Sequence, residues 1–450
     1  ALARNMIELP RHPEYNSLAK PDAPTEYGKR GSARYGRMRL LETLLRYEMW
    51  DEIISASQTV YLEKTTIPEE QAKRLAAVGM ARYALGQGEK GTEILARLDE
   101  LKQRLEDMKL EAGAKAGTDV LDGEKNDKEA EKARTDAMKP FDGRIKTIDQ
   151  YRAELLACQA AADEDGDELK KQIAKAGKMS RERKSQLHLQ VGNNKEAVKL
   201  ASQSARAEGQ VQPLANYADI LWRSGRKKEA IEQFKKLREI SAHLDIERAV
   251  FRRLAPIAMK LGLPEDWRVE FKPANDVGER PSLDTLGPFR WSPTHAPQWE
   301  LTDGQGKKHT LTDYAGRPVI VIFYLGKGCA HCIEQLGTFA PETDRFRQAG
   351  IDLVAISTDD VNGLRETVQQ NKTGSPFPFP LVSDASLNVF KQYRAYDDFE
   401  QQPLHGTFLI DRQGLVRWQD ISYEPFTKVE FLLEESKRLL AQDPPQVTQR

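Results

Sequence analysis

The sequence predicts a multidomain chain, an all-α helical-repeat N-terminal region followed by an α/β C-terminal domain. Three observations carry that prediction. From about Ala33 to Lys260 the chain has few prolines and long stretches of Ala, Leu, Glu, Lys and Arg, all strong helix formers. Within that region a short motif recurs: Gly192-Asn-Asn-Lys-Glu-Ala197 returns as Gly225-Arg-Lys-Lys-Glu-Ala230. Beyond about residue 290, short apolar runs alternate with helix-patterned stretches, the order of an α/β layer structure. At 450 residues the chain is also too long for one ordinary core.

In chain order, residues 1–32 are rich in Pro, Tyr and charge without a clear period, and read as an irregular arm. Residues 33–261 form the helical region. Around the second copy of its motif, Leu214, Tyr217, Ala218, Leu221, Gly225, Ala230 and Phe234 fall where a helix–turn–helix repeat of about 34 residues places its packing positions. This spacing resembles a tetratricopeptide repeat, and Val78, Gly79, Gly86 and Gly91 outline a weaker copy. Between the copies, at about 95–180, a highly charged segment with an apolar seam at Leu98, Leu101 and Leu105 predicts an inserted helical hairpin. Its Gly-, Asp- and Lys-rich stretch at 112–130 is the expected tip or loop.

Residues 262–288 change texture to Pro, Gly and Trp and read as a linker, followed by a domain at 289–443 and a tail at 444–450. Val319–Leu325 and Ile351–Ser357 read as buried strands, with helices expected at 330–348 and 360–371. A short strand follows at Phe379–Val382 and a helix at 386–394. Thr407–Ile410 and Leu415–Trp418 make a hairpin, and 425–441 a closing helix. Two βα units, a hairpin and a helix is the order of the thioredoxin fold.

Composition narrows the function. The 68 basic and 69 acidic side chains nearly cancel, so no polyanion-binding surface and no nucleic-acid partner is expected. No apolar run approaches the roughly 18–20 residues of a membrane span. The start at Ala1 without a methionine is what a removed signal peptide or a longer upstream segment would leave, and places the expectation on an extracytoplasmic (periplasmic) rather than cytoplasmic site. Three cysteines exclude a disulfide-stapled scaffold. Cys158, within an Ala/Leu-rich helix, reads as a buried apolar residue.

The other two cysteines form Cys329-Ala-His-Cys332, between the apolar run 318–324 and a helix-like stretch. Two thiols three positions apart can close and reopen a disulfide within one helical turn. At a helix start, the unsatisfied N–H groups and the helix dipole favour the thiolate of the first. Cys329 is therefore the expected attacking thiolate and Cys332 the resolving thiol. His331 lies between them, where an imidazole aimed at Cys329 would stabilise the thiolate; Glu334 reads as a solvent-facing helix residue. A zinc site would need two further ligands, and neither His295 nor His309 has a paired spacing; haem attachment would need His where Ile333 stands. The expectation is no metal and no cofactor.

Residues from about 290 to 440 resemble the bacterial redoxins of the alkyl hydroperoxide reductase/thiol-specific antioxidant group, which are peroxiredoxin-like. The resemblance rests on Ala296–Asp303, on Leu311–Tyr314 with Gly316 and Pro318, on Phe323-Tyr324 with Gly328–Cys332, on Ile356–Asp359, and on Gly406–Gly414. It implies a thiol-dependent oxidoreductase with a protein disulfide, dithiol or reductant as partner. Two departures follow. The family's peroxide-holding Thr or Ser, three residues before the reactive cysteine, is Gly326 here, and its hairpin Arg is His405, which becomes a second candidate for contacting the thiolate. Thioredoxins place a cis-proline opposite their CxxC, whereas the nearest proline here, Pro403, lies two positions before His405. Family members with His before the second cysteine are oxidants or isomerases, with potentials of roughly −120 to −180 mV against about −270 mV for thioredoxin.

The reading that results is a thiol–disulfide oxidoreductase whose helical repeats dock a peptide or protein. A thiol peroxidase with Cys329 passing through sulfenic acid is one alternative. An interaction scaffold with a structural redoxin domain is the other.

Overall fold

A computed structural model describes residues 1–14, 16, 31–123, 126–177, 179–206, 210–272, 291–369 and 376–442. Residues 17–30 of the expected arm, 273–288 of the linker and the 444–450 tail lie outside this set. The chain divides into two compact units, one of Ala1–Glu8 with Asn16–Ser282 and one of Leu9–Tyr15 with Leu283–Arg450. The N-terminal arm is thus not irregular throughout. Leu2–Glu8 is a helix that buries Ile7 in the core of the first unit, and residues 9–14 belong to the second. Among the described residues no helix is long and apolar enough to cross a membrane.

The first unit is helical from Ser32 to Lys260. Its two longest helices, Gly88–Asp122 and Asp127–Ala162, pack on one another. Helix continues through 112–122, and the next helix begins at Asp127. Gly113 and Gly117 do not break the helix because they face its neighbour: a Cβ at either would collide with Met138 or Arg134. The Asn126 side chain accepts the Glu129 N–H at 3.0 Å and starts the return helix.

The recurring motif is a recurring turn. Gly192 and Gly225 take φ of +74° and +83°, and the next amide reaches back across the helix end, Asn193 to His188 O at 2.8 Å and Arg226 to Leu221 O at 2.9 Å. Gly86, at φ +71°, repeats this with Gln87 N–H on Arg82 O at 2.8 Å. Each is a Schellman end, which requires the left-handed residue that glycine supplies without strain. The helices joined at Gly192 and Gly225 bury Ala197, Ala201, Ala215, Ala218 and Ala230 around Leu221 and Phe234.

Cys158 is 2% exposed in the hairpin helix, and burial pushes its thiol pKa up, although Arg183 Nη2 lies 3.6 Å from the sulfur. In the folded chain Cys158 is expected to resist alkylation at neutral pH and to label only on denaturation. Peptide mass spectrometry after a timed iodoacetamide pulse checks this.

The second unit holds a seven-stranded sheet in the order β2-β1-β5-β4-β3-β8-β9. Its strands are β1 (Glu300–Asp303), β2 (Lys308–Thr310), β3 (Val319–Tyr324), β4 (Asp352–Ser357), β5 (Leu381–Ser383), β8 (His405–Ile410) and β9 (Val416–Ser422). A small ribbon pairs β6 (Tyr396–Asp397) with β7 (Gln402–Pro403). β3 runs parallel to β4 and antiparallel to β8, giving a thioredoxin-like centre. All six residues of β3 are buried because its two faces feed two cores. Ile320, Ile322 and Tyr324 pack with Leu336, Phe339, Leu432 and Leu433 of the helices Ala330–Phe339 and Val429–Leu440. Val319, Val321 and Phe323 pack with Trp299, Phe390, Tyr393 and Phe408.

Two further features complete this unit. Arg417 and Asp411, 3% and 6% exposed, form a buried ion pair at 3.0 Å across the β8–β9 turn. Residues 9–12 lie on the outer side of β9 and the last helix. Trp418 Nε1 donates to Arg11 O at 2.6 Å, Arg438 donates to Leu9 O at 3.0 Å, and Arg11 N–H donates to Glu435 at 2.7 Å.

Candidate active site

The site forms where β3 ends. Beyond Tyr324 the chain makes a tight loop in which Gly326 takes φ +88°. A Cβ there would stand 2.5 Å from Asp359 Oδ1. Asp359 lies just after β4 and holds the loop by accepting the Lys327 N–H at 2.8 Å, with Thr367 Oγ1 at 3.4 Å from the same oxygen. Glycine at 326 is therefore dictated by both its backbone region and its carboxylate neighbour. Gly326→Ala is expected to destabilise this unit by about 1–3 kcal/mol. Faster amide hydrogen exchange over 325–332 is its readout.

Cys329 is the N-cap of the helix Ala330–Phe339. Its sulfur accepts the Cys332 N–H at 3.2 Å, and the Cys332 sulfur accepts the Leu325 N–H at 3.3 Å. The Cys329 sulfur thus meets a backbone donor at a helix start, an environment that favours thiolate, while the Cys332 sulfur meets one from the loop after β3. The two are joined as a disulfide with Cα atoms 5.3 Å apart. Cys332 is fully buried, while Cys329 is partly exposed.

His405 comes to the same place through strand register. Gly406 pairs with Phe323 near the end of β3, so His405, one residue earlier in β8, lies at that end, beside the loop. Its Nε2 stands 3.2 Å from Cys332 Sγ and 3.7 Å from Cys329 Sγ. The side chain is buried, and burial lowers its pKa below the ordinary imidazole value, against the opposing influence of the Tyr423 backbone and Glu424. The lowered pKa favours the neutral ring.

His331, which the sequence placed beside Cys329, turns outward: its side chain is 74% exposed and its Nδ1 stands 3.9 Å from Glu334 Oε2. His309 is taken up by Asp303 at 2.8 Å, and His295 sits in an isolated bridge to Leu415. Pro403 pairs with Tyr396 in the small ribbon.

Two contributors escaped the sequence reading. Asp359 was visible only as a turn residue, although the glycine at 326 signalled a close approach. Gln335 is buried on the apolar helix face and donates to Phe426 O at 3.0 Å, tying the CxxC helix to the segment after β9. A polar residue amid Cys332, Leu336 and Phe339 was its signal.

Residues 293–419 match the AhpC/TSA family. This segment is a peroxiredoxin-like redoxin domain. Peroxiredoxin Q of Oryza sativa subsp. japonica is 32% identical to it over 124 residues, 27% of this chain and 55% of that protein. Human peroxiredoxin-4 is 31% identical over 129 residues, 27% of this chain and 47% of that protein. The chain therefore spans about half the length of these relatives. Among solved structures, peroxidoxin BcpB from Mycobacterium tuberculosis covers 34% of this chain and 97% of its own, at 22% identity and a TM-score of 0.30. The redoxin domain keeps a cysteine at the start of the helix after β3. It carries Gly326 where the resemblance calls for a hydroxyl and His405 where it calls for an arginine.

Proposed function

We propose that the redoxin domain is a thiol–disulfide oxidoreductase in which Cys329 attacks, Cys332 resolves and His405 handles the proton. The observation that carries this reading is the buried imidazole of His405 within 3.7 Å of both sulfurs. The Cys329 thiolate attacks a partner disulfide, forming a mixed disulfide and releasing one partner thiolate. Cys332 then gives its proton to His405 Nε2 and attacks Cys329 Sγ, so the internal disulfide forms and the second partner thiolate leaves. Identity with peroxiredoxin Q supports a second reading, in which Cys329 cleaves a peroxide O–O bond and Cys332 condenses with the resulting sulfenate, releasing water. Gly326 offers no hydroxyl and neutral His405 no fixed charge to hold the peroxide, which favours the first.

The test compares glutathione exchange and peroxide consumption in the wild type and Cys329→Ser. Expected are an exchanging couple more oxidising than thioredoxin and slow peroxide turnover. Rapid peroxide turnover through a Cys329 sulfenate would replace the first reading by the second.

The helical unit, read as tetratricopeptide-like, docks the protein that shares the disulfide. Its matched turns at Gly192 and Gly225 support a repeat architecture, and repeat surfaces bind peptides. Charge reversal at the exposed Lys228 and Lys235 is expected to raise KM for a protein disulfide while leaving glutathione disulfide unaffected.

A further inference from the structure

We infer that the reduced redoxin domain is a zinc site, with Cys329, Cys332 and His405 as ligands. The inference rests on the proposed reducibility of the Cys329–Cys332 pair and goes beyond exchange chemistry. Among the described residues, Cys329 Sγ, Cys332 Sγ and His405 Nε2 lie within 4.8 Å of one another. Two soft thiolates and one imidazole are the donor set that zinc takes in preference to the oxygen-seeking ions.

The spacing also fits. Tetrahedral zinc holds sulfur at about 2.3 Å and imidazole nitrogen at about 2.0–2.1 Å, which sets nitrogen and sulfur ligands about 3.5 Å apart. His405 Nε2 stands 3.2 and 3.7 Å from the two sulfurs, already bracketing that edge. Reduction lets the sulfurs part to non-bonded contact, which completes the triangle without moving the histidine. The Cys332 and Leu325 N–H groups on the two sulfurs would offset thiolate charge in the bound form as they do in the free one. Three protein ligands leave a fourth position to water or a thiol, the pattern of an exchangeable site.

Sequence spacing gives no sign of this, since the histidine arrives 73 positions after Cys332 by strand register. Zinc binding and disulfide formation then exclude one another. With a disulfide such as oxidised glutathione as oxidant, two electrons pass from the zinc-bound thiolates to the oxidant. The Cys329–Cys332 bond forms, two glutathione thiolates appear, and Zn²⁺ leaves at unchanged oxidation state.

The test uses the full chain, reduced with a phosphine, freed of reductant and titrated anaerobically with Co²⁺ and then Zn²⁺. Expected is one Co²⁺ per chain, with a thiolate-to-cobalt charge-transfer band and intense tetrahedral d–d absorption, both displaced by Zn²⁺. Cys329→Ser and Cys332→Ser lose the charge-transfer signal, His405→Ala binds roughly tenfold or more weakly, and Cys158→Ser is unchanged. Oxidised glutathione added to the zinc form releases one Zn²⁺ per disulfide formed. A chain with all three thiols free that shows no thiolate–cobalt band overturns the site, as does undiminished binding in His405→Ala. Glutathione exchange without metal binding sinks the zinc inference and leaves the oxidoreductase standing. Metal binding by a pair that exchanges with no disulfide and consumes no peroxide does the reverse.

Discussion

Cys332→Ser is expected to stop the reaction at a mixed disulfide on Cys329, and Cys329→Ser to fall to the uncatalysed background. The asymmetry follows from the placement of the two sulfurs. Cys329 is partly exposed at the helix cap and open to a partner disulfide, whereas Cys332 is fully buried in the core, its sulfur beside Cys329, His405 and the Leu325 amide. A partner captured by Cys329 therefore has no internal route off once Cys332 has lost its sulfur. His405→Ala, which removes the proton acceptor from the second step, is expected to slow release by roughly 10²–10⁴-fold. Mass spectrometry of the chain incubated with oxidised glutathione reads the adduct. Equal adduct on both single-serine variants would show that the assignment of attacker and resolver is wrong.

The largest effect on stability is expected from Arg417→Ala. The Asp411 carboxylate accepts the Gln413 and Leu415 amides and pairs with Arg417 out of contact with water. Removing the guanidinium leaves a buried charge uncompensated, which costs about 3–5 kcal/mol. The same change removes the Arg417 Nη2 donor, at 2.8 Å, from Leu439 O in the last turn of the closing helix. Replacing both partners together, Arg417→Met with Asp411→Asn, is expected to cost less than the single change, because no charge is then stranded. Because a chain of two units need not unfold in one step, protection of amides in β8 and β9 by hydrogen exchange is the suitable measure. Opening free energies in Arg417→Ala within about 1 kcal/mol of wild type would contradict the account.

The legible parts of this protein are those where a local pattern meets a nonlocal need. Val319–Tyr324 reads as a strand because six apolar residues suit a segment covered on both sides, and Cys329 reads as a cap because a helix pattern begins beside it. Residues 112–122 misled because their glycines suggest a loop by composition, whereas contact with Met138 and Arg134 puts them to use inside a helix. His405 was reached by resemblance, not by spacing, since its meeting with Cys332 depends on the pairing of β3 with β8. His331 shows the limit of adjacency: lying between the cysteines in sequence, it falls on the outward face of the first helical turn. The very short strands β1 and β2 follow the same logic, having too few residues for a period to emerge.

Residues 9–12 have a consequence for folding. Arg11 and Trp418 stand 407 positions apart, so their contact closes only when two remote parts of the chain meet. The contact order of the redoxin domain is raised by this pairing, and with it the entropy that must be lost before the domain is complete. An excised fragment starting near residue 289 would hold both cysteines and His405, yet leave the Trp418 indole N–H, Glu435 and Arg438 without the backbone they bind here.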